Sequence, residues 1–520
     1  MNRWLRSGLL LLAATLLWPT LAGATTTIDY AELTQNTVWG PTAPTNPDTD
    51  YVLNSTLFVN NGFSLTIQAG TTVKVMPGVA IQVGGTTAGK LIARGTLASP
   101  VTIEAQNGTN GSWEGVALLA AATGSEIDYV RIRHAKVGLK ISGAASVQVS
   151  HATFEKCSEV GLRLEKASPI VNFCTFANND ALGVEVLDGE STPAWTNNTI
   201  GPNKGYHVRA HADAVGLLTS DTTFVLNMNP ARYNAVRVIG GTGVTRTATW
   251  EALPKGMVYS IETGVVSVAH GNVPTLTIAE GSVVKFDSNS GQTGTYLAIG
   301  SATANLEGGL VARDVVFTSS KDDSVGGDTP GDGALVPNKG EYGGLVFLDS
   351  ALETSSIDGS TFRYGGATQD SWYYNSNGPL SYGAIYGCIT FDKVDLTVEG
   401  VVVEDCGDFG IRVATGGSLL LSSVDVVDAR GDGVRDDGTG TLMMLDSIVS
   451  GSGGDGIHAG KVEIDACQVE RNAKYGIWAV DGTIVSTSVY DNTDLPVSIT
   501  APAVAGIVSS GSGNDIRGDT

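Results

Sequence analysis

The sequence predicts an all-β fold: a right-handed parallel β-helix, a single-stranded solenoid built as two tandem units. Three observations predict it. Glycine is abundant (67 of 520 residues), while aromatic residues make up 7% and charged residues 16%. With Val, Ile, Thr and Ser prominent, this is the profile of many short strands joined by turns. A short-period repeat runs through the chain, and a long-period repeat doubles it.

The short period is a coil of about 22 residues. Phe154 is followed seven residues later by Gly161-Leu162, and Phe176 by Gly183-Val184. The same spacing links Val403 to Gly410-Ile411, Val426 to Gly433-Val434, Val449 to Gly456-Ile457 and Val469 to Gly476-Ile477. Side chains on a strand alternate between faces, so Leu162 and Leu164 should point inward and Arg163 outward. One coil cannot bury its own apolar face; stacking coils about 4.8 Å apart pairs each strand with the next and closes a continuous core.

The turns predict a ladder. Three residues after each leading apolar position stand Cys157, Asn179, Cys406, Ala429, Ser452, Asn472 and, after Val489, Asn492. All are small, and stacked Asn side chains can satisfy backbone groups buried in such a turn. Cys157 and Cys406 are then small buried substitutes in the ladder. Cys174 and Cys467, each two residues before a leading apolar position, should point inward. The spacing predicts all four to be free, and leaves Cys388 unplaced. An odd cysteine count without a CxxC or Cys/His spacing gives neither a disulfide framework nor a zinc site.

The long period aligns "LTIQAGTTVKV" (Leu65 to Val75) with "LTIAEGSVVKF" (Leu276 to Phe286), and Trp39 with Trp250, at one offset of 211 residues. "SEIDYVRIRH" from Ser125 matches "SSIDGSTFRY" from Ser355, so the second copy carries insertions. The predicted organisation is a signal peptide (1–24), an N-terminal segment with a first β-helix unit (25–249), and a second unit (250–520) with an acidic loop (321–333) and an aromatic loop (371–386). The chain stops at Thr520 before a third tryptophan-led opening, which reads as a piece of a longer array.

The N-terminus has the parts of a secretory signal: Arg3 and Arg6, the apolar run Leu9 to Leu17, and Ala22-Gly23-Ala24 for cleavage. No later stretch is apolar enough to span a membrane. The expectation is an exported protein: secreted, at the cell surface or periplasmic. Its formal net charge of −22 argues against nucleic acid and anionic membranes as partners.

On these coils the chain resembles the parallel β-helix repeats of the pectin-lyase-like superfamily, and its LTIxxGxxVKF opening resembles right-handed β-helix proteins exported by bacteria. The resemblance implies fold more than function, because this superfold hosts lyases, hydrolases, epimerases, adhesins and non-enzymes. The catalytic patterns of the enzymatic relatives are missing. Asp436-Asp437 has no His-Gly partner of the polygalacturonase kind, and the pectate lyase and epimerase patterns are absent.

Three constellations are candidate sites. "KDDSVGGDTPGDG" (Lys321 to Gly333) is similar to calcium loops in its alternating carboxylates, with Asp322, Asp323, Asp328 and Asp332 as ligands, although Pro330 replaces an oxygen donor. Trp372, Tyr373, Tyr374, Tyr382 and Tyr386 crowd one insertion, and such rings have an apolar face with a polar tip. The outward residues Arg412, Arg435, His458 and Trp478 should line up on successive coils and could grip an acidic glycan. Two RGD triplets (Arg430 and Arg517) and the alternating His207, Arg209 and His211 read as ordinary surface features. The expected role is non-catalytic: surface display, or carbohydrate or adhesive binding, with a glycan or cell-surface partner. No cofactor is required and calcium is admitted; the competing expectation is a polysaccharide lyase or glycoside hydrolase acting on acidic glycans.

Overall fold

The structure, a computed structural model, describes residues 25–41, 50–144, 146–228, 233–288, 294–302, 306–366, 387–494 and 497–499. The residues read as a signal peptide (1–24) and the aromatic insertion (371–386) lie outside the described residues. Among those residues the chain winds as the predicted parallel β-solenoid, with one α-helix.

In the N-terminal half each coil feeds three parallel sheets in turn. The first has nine strands and begins at Thr26–Ile28; the third has seven and begins at Thr37–Trp39. The second begins at Leu57–Val59 and continues by successive parallel pairs to Ser488–Tyr490. The register follows the repeat: Leu139 pairs with Leu162, and Leu162 with Val184. Leu162, Val184, Ile411, Val434, Ile457 and Ile477 are all 0% exposed. Burying each such side chain contributes about 1.5–3 kcal/mol. Like residues stack on like, as in the Phe154–Phe176 pair with ring centroids 5.3 Å apart.

The ladder forms where the spacing placed it. The backbone N–H of Cys157 donates to Asn179 Oδ1 at 3.0 Å, that of Asn179 to Asn203 at 3.0 Å, and that of Asn203 to Asn227 at 2.7 Å. In the C-terminal coils Ser452 donates to Asn472 and Asn472 to Asn492. Cys157, Cys174 and Cys467 are free and buried, as expected. Burial pushes the Cys157 and Cys174 thiols up to about 12, far from reactive thiolates.

Cys406 departs from expectation: it is not free but bonded to Cys388, with Cα atoms 5.8 Å apart. The register explains the pairing. A Cβ on the strand-opening glycine would point at the ladder residue of the next coil; from Gly161 it would lie 3.1 Å from Asn179 Nδ2, and from Gly138 3.1 Å from Cys157 Sγ. Cys388 stands at this position, 22 residues before Gly410, and its neighbouring ladder residue is Cys406. The signal was in the sequence, since "GCITF" aligns with "FGIRV" by placing Cys388 over Gly410.

The two tryptophan openings pack alike. Trp39 stacks on Tyr51 at 5.1 Å, and Trp250 lies against Tyr259 at 5.0 Å. Each tyrosine hydroxyl donates to the carbonyl of the residue after its tryptophan, Gly40 or Glu251. Their sheets differ, however. Where the third sheet would add its next strand, the chain forms the helix Ala212–Thr219, which buries Ala212, Ala214, Val215 and Leu218. The first and third sheets end at Thr222–Phe224 and Ala194–Thr196. The second sheet passes on, and new sheets start at Gly243–Val244 and Ala248–Trp250. Val283–Phe286 therefore extends the second sheet, whereas its sequence counterpart Thr72–Val75 lies in the first. Matching sequence ends up on different faces.

Candidate functional site

The outward row assembles. Arg412 pairs in register with Arg435, Arg435 with His458, and His458 with Trp478. Their strands are held by the inward residues Ile411, Val434, Ile457 and Ile477, so the outward side chains must stack at the strand spacing. The His458 ring lies on Trp478 with centroids 4.0 Å apart and planes 18° from parallel.

What surrounds the row changes its chemistry. Arg412 donates to Asp437 Oδ2 through Nε and an NH2 group, both at 3.2 Å. Arg435 donates to Asp437 Oδ1 at 2.7 Å and to Asp432 Oδ2 at 3.1 Å. His458 Nδ1 lies 2.7 Å from Asp455 Oδ2. These acids come from turns, one residue before the strand-opening glycines Gly433 and Gly456, or one residue past the strand end at Asp436. The Asp436-Asp437 pair splits: Asp437 faces the arginines, while Asp436 is buried and accepts from the Gly438 N–H at 2.7 Å. Burial pushes the Asp436 carboxyl above the usual carboxylate range. Asp408 also feels this field. Burial, with Asp432 adding to it and Arg412 opposing it, lifts its carboxyl to about 6. Two arginines and one histidine thus stand among Asp408, Asp432, Asp437 and Asp455. The row is an acidic, ion-paired surface with an aromatic end, not a cationic strip.

The acidic loop has a different centre from the one expected. Lys285 is fully buried beneath it and donates to the Gly327 carbonyl at 2.7 Å. Asp322, Asp323, Asp328 and Asp332 all act on this ammonium, but burial dominates and lowers it to about 8. Asp322 Oδ2 accepts from Thr318 Oγ1, and Asp328 accepts from the Asp332 and Gly333 N–H groups. The equivalent Lys74 finds Glu104 on its neighbouring strand. Lys285 finds Thr318 there instead, and the loop supplies the missing carboxylates.

The other candidates separate. Trp372, Tyr373, Tyr374, Tyr382 and Tyr386 lie outside the described residues. Arg430 and Asp432 of the first RGD are engaged, with Lys339 O and with Arg435. His207 is buried rather than on the surface, its Nε2 2.8 Å from Val225 O, while His211 caps the helix. What the sequence reading missed was Asp408, Asp432 and Asp455; Asp432 and Asp455 recur one coil apart just before the glycines, which is the signal that could have found them.

Residues 52–245 and 387–520 match the family described as "Right handed beta helix region". The chain belongs to this family. The Arg412–Trp478 row lies wholly inside the second matched stretch of this right-handed β-helix. No curated protein matches the chain. Solved structures similar to this β-helix include the Agl-KA catalytic domain, at 13% identity and TM-score 0.25, covering 74% of this chain and 63% of that one. Another is the catalytic domain of GH87 alpha-1,3-glucanase in complex with nigerose, at 12% and 0.20, covering 89% and 70%. A third is the PL6 family alginate lyase AlyGC, at 10% and 0.16, covering 84% and 79%. The activities named are those proteins' own. Among the described residues no helix is long and apolar enough to cross a membrane.

Proposed function

We propose that this β-helix is an exported binding protein whose ligand is a glycan lying along the Arg412–Trp478 row. The observation carrying this reading is the stacked His458–Trp478 pair beside oriented carboxylates. Sugar rings offer apolar C–H faces to an indole and hydroxyl donors to carboxylate acceptors. Because acids outnumber cations along the row, a neutral glycan fits better than the acidic one first expected. The leader-like N-terminus supports export.

The test is affinity electrophoresis and calorimetry of the full chain against neutral and uronate polysaccharides. Trp478→Ala should weaken retention by a neutral glycan at least tenfold, about 1.4 kcal/mol. Its thermal midpoint should stay close to that of the wild type, as for a half-exposed side chain. Unchanged retention, or a preference for uronates, would overturn the proposal.

A second reading, hydrolysis, is favoured by one observation: Asp408 is lifted to about 6 while Asp437 sits between two guanidinium groups. A carboxyl lifted towards neutral pH suits a general acid. Release of reducing ends that Asp408→Asn abolishes would favour this reading over simple binding. The shift also predicts stability. A carboxyl raised in the folded state from 3.8 to about 6 contributes stability below pH 4 and loses it as pH rises through 6. Asp408→Asn should therefore be more stable than wild type at pH 8, by about 1 kcal/mol after allowing for solvent screening. The advantage should vanish by pH 4. Denaturation at the two pH values reads it, and an equal difference at both would refute the burial of that charge.

A further inference from the structure

We infer that Asp432, Asp455 and His458 form a binding site for a divalent transition-metal ion. The inference does not depend on a glycan being the protein's ligand. One donor atom from each residue lies within 4.8 Å of the other two. The set mixes two carboxylate oxygens with an imidazole nitrogen. That suits zinc, manganese or cobalt, and is poor for calcium, which takes six to eight oxygens.

The solenoid builds the site by repetition. Asp432 and Asp455 hold the same place on successive coils, each just before a strand-opening glycine, and His458 is the outward residue of the second coil. Each carboxylate has one oxygen anchored by the backbone of the next coil. Asp432 Oδ1 accepts from the Asp455 N–H at 2.8 Å, and Asp455 Oδ1 from the Tyr475 N–H at 3.1 Å. Both Oδ2 atoms remain on the side of Arg435 and His458. Trp478, against the imidazole face, limits the ring's swing. Such outer contacts orient metal ligands and preserve affinity.

Charge supplies an independent reason. The Asp432 and Asp455 side chains are each only 8% exposed. Arg435 bonds Asp432 but divides itself between that carboxylate and Asp437, while Asp455 is paired with the His458 ring. A dication between these two nearly buried carboxylates would add positive charge where one otherwise faces a shared guanidinium and the other an imidazole. The arginine need not be orphaned by the ion: on leaving Asp432 it keeps Asp437, at 2.7 Å. Metal on His458 replaces the hydrogen bond to Asp455, and three protein ligands leave further coordination positions for water or an outside donor.

The experiment uses the full chain, stripped with a chelator and then freed of it. It is titrated by calorimetry with zinc chloride, manganese chloride and, for comparison, calcium chloride. One equivalent of zinc or manganese should bind, tighter than calcium, and raise the thermal midpoint. Asp455→Asn and Asp432→Asn keep the anchored oxygen and the shape of the turn. Each should weaken binding more than about tenfold without lowering the metal-free midpoint appreciably. Cobalt should quench fluorescence in wild type, and the quenched component should be missing in Trp478→Phe, which retains the ligands. Unchanged affinity in both Asn variants, calcium binding as tight as zinc, or no stoichiometric binding would each overturn the inference. A metal-free midpoint lowered in one Asn variant leaves the other, together with the cobalt quench, to decide.

Discussion

Asn203→Ala should destabilise the protein by about 1–3 kcal/mol, more than its small apolar content would suggest. Asn203 is 5% exposed. Its Oδ1 accepts from both the backbone N–H of Asn179 (3.0 Å) and Asn179 Nδ2 (3.1 Å), and its Nδ2 donates to the Phe176 carbonyl at 3.2 Å. Alanine strands the Asn179 N–H in a turn closed to water, and a buried group left unpaired costs about 1–3 kcal/mol; Asn179 Nδ2 keeps the Phe154 carbonyl and the Phe176 carbonyl keeps the Gly201 N–H. A long repeat array need not unfold in one step, so the measurement should be local as well as global. Hydrogen exchange at the Asn179 amide should accelerate together with the fall in denaturation midpoint. An amide still protected to the wild-type level in the variant would refute the ladder as the device that closes these turns.

Loss of the Cys388–Cys406 bridge is the second large effect. Cys406→Ala should cost about 2–4 kcal/mol, the usual range for a structural disulfide, with an added small cavity because both side chains are fully buried. The register offers a specific rescue. In the coils on either side the strand-opening position is glycine, Gly344 and Gly410, and along the chain the ladder position is often Asn. Cys388→Gly combined with Cys406→Asn should therefore recreate the ordinary coil, with the new amide accepting from the Gly365 N–H and donating to the Phe362 carbonyl. The double variant should regain at least half of the lost stability under reducing and oxidising conditions alike. A double variant no better than Cys388→Gly with Cys406→Ala would show that the bridge occupies a place the ladder cannot fill.

Both effects are half legible in the sequence. The period of the coil, the inward positions and the small-residue ladder all follow from spacing, because a strand alternates with period two and each coil repeats the one beneath it. Leu162, Ile411 and Ile477 could be placed in the core, and Cys157, Cys174 and Cys467 made free and buried, for that reason alone. The row from Arg412 to Trp478 was legible in the same way: one outward residue per coil, at one register.

What the tertiary structure decided were the contacts that do not repeat. Cys388 meets Cys406 because a Cβ on a strand-opening residue points at the neighbouring coil, a direction that residue counting does not reveal. Lys285 lies under the acidic loop because its partner strand carries Thr318 where that of Lys74 carries Glu104. The helix at Ala212 ends one sheet and lets another continue, so sequence-matched strands land on different faces. Asp432 and Asp455 reach the arginines and His458 because turn residues aim their side chains by local φ and ψ and by the next coil's N–H groups, not by strand alternation. By itself the sequence determined the scaffold and the order of residues along each face, since those depend on a period. The chemistry of the face, ion-paired and acidic rather than cationic, depended on side chains brought together across turns, which only the folded solenoid could set.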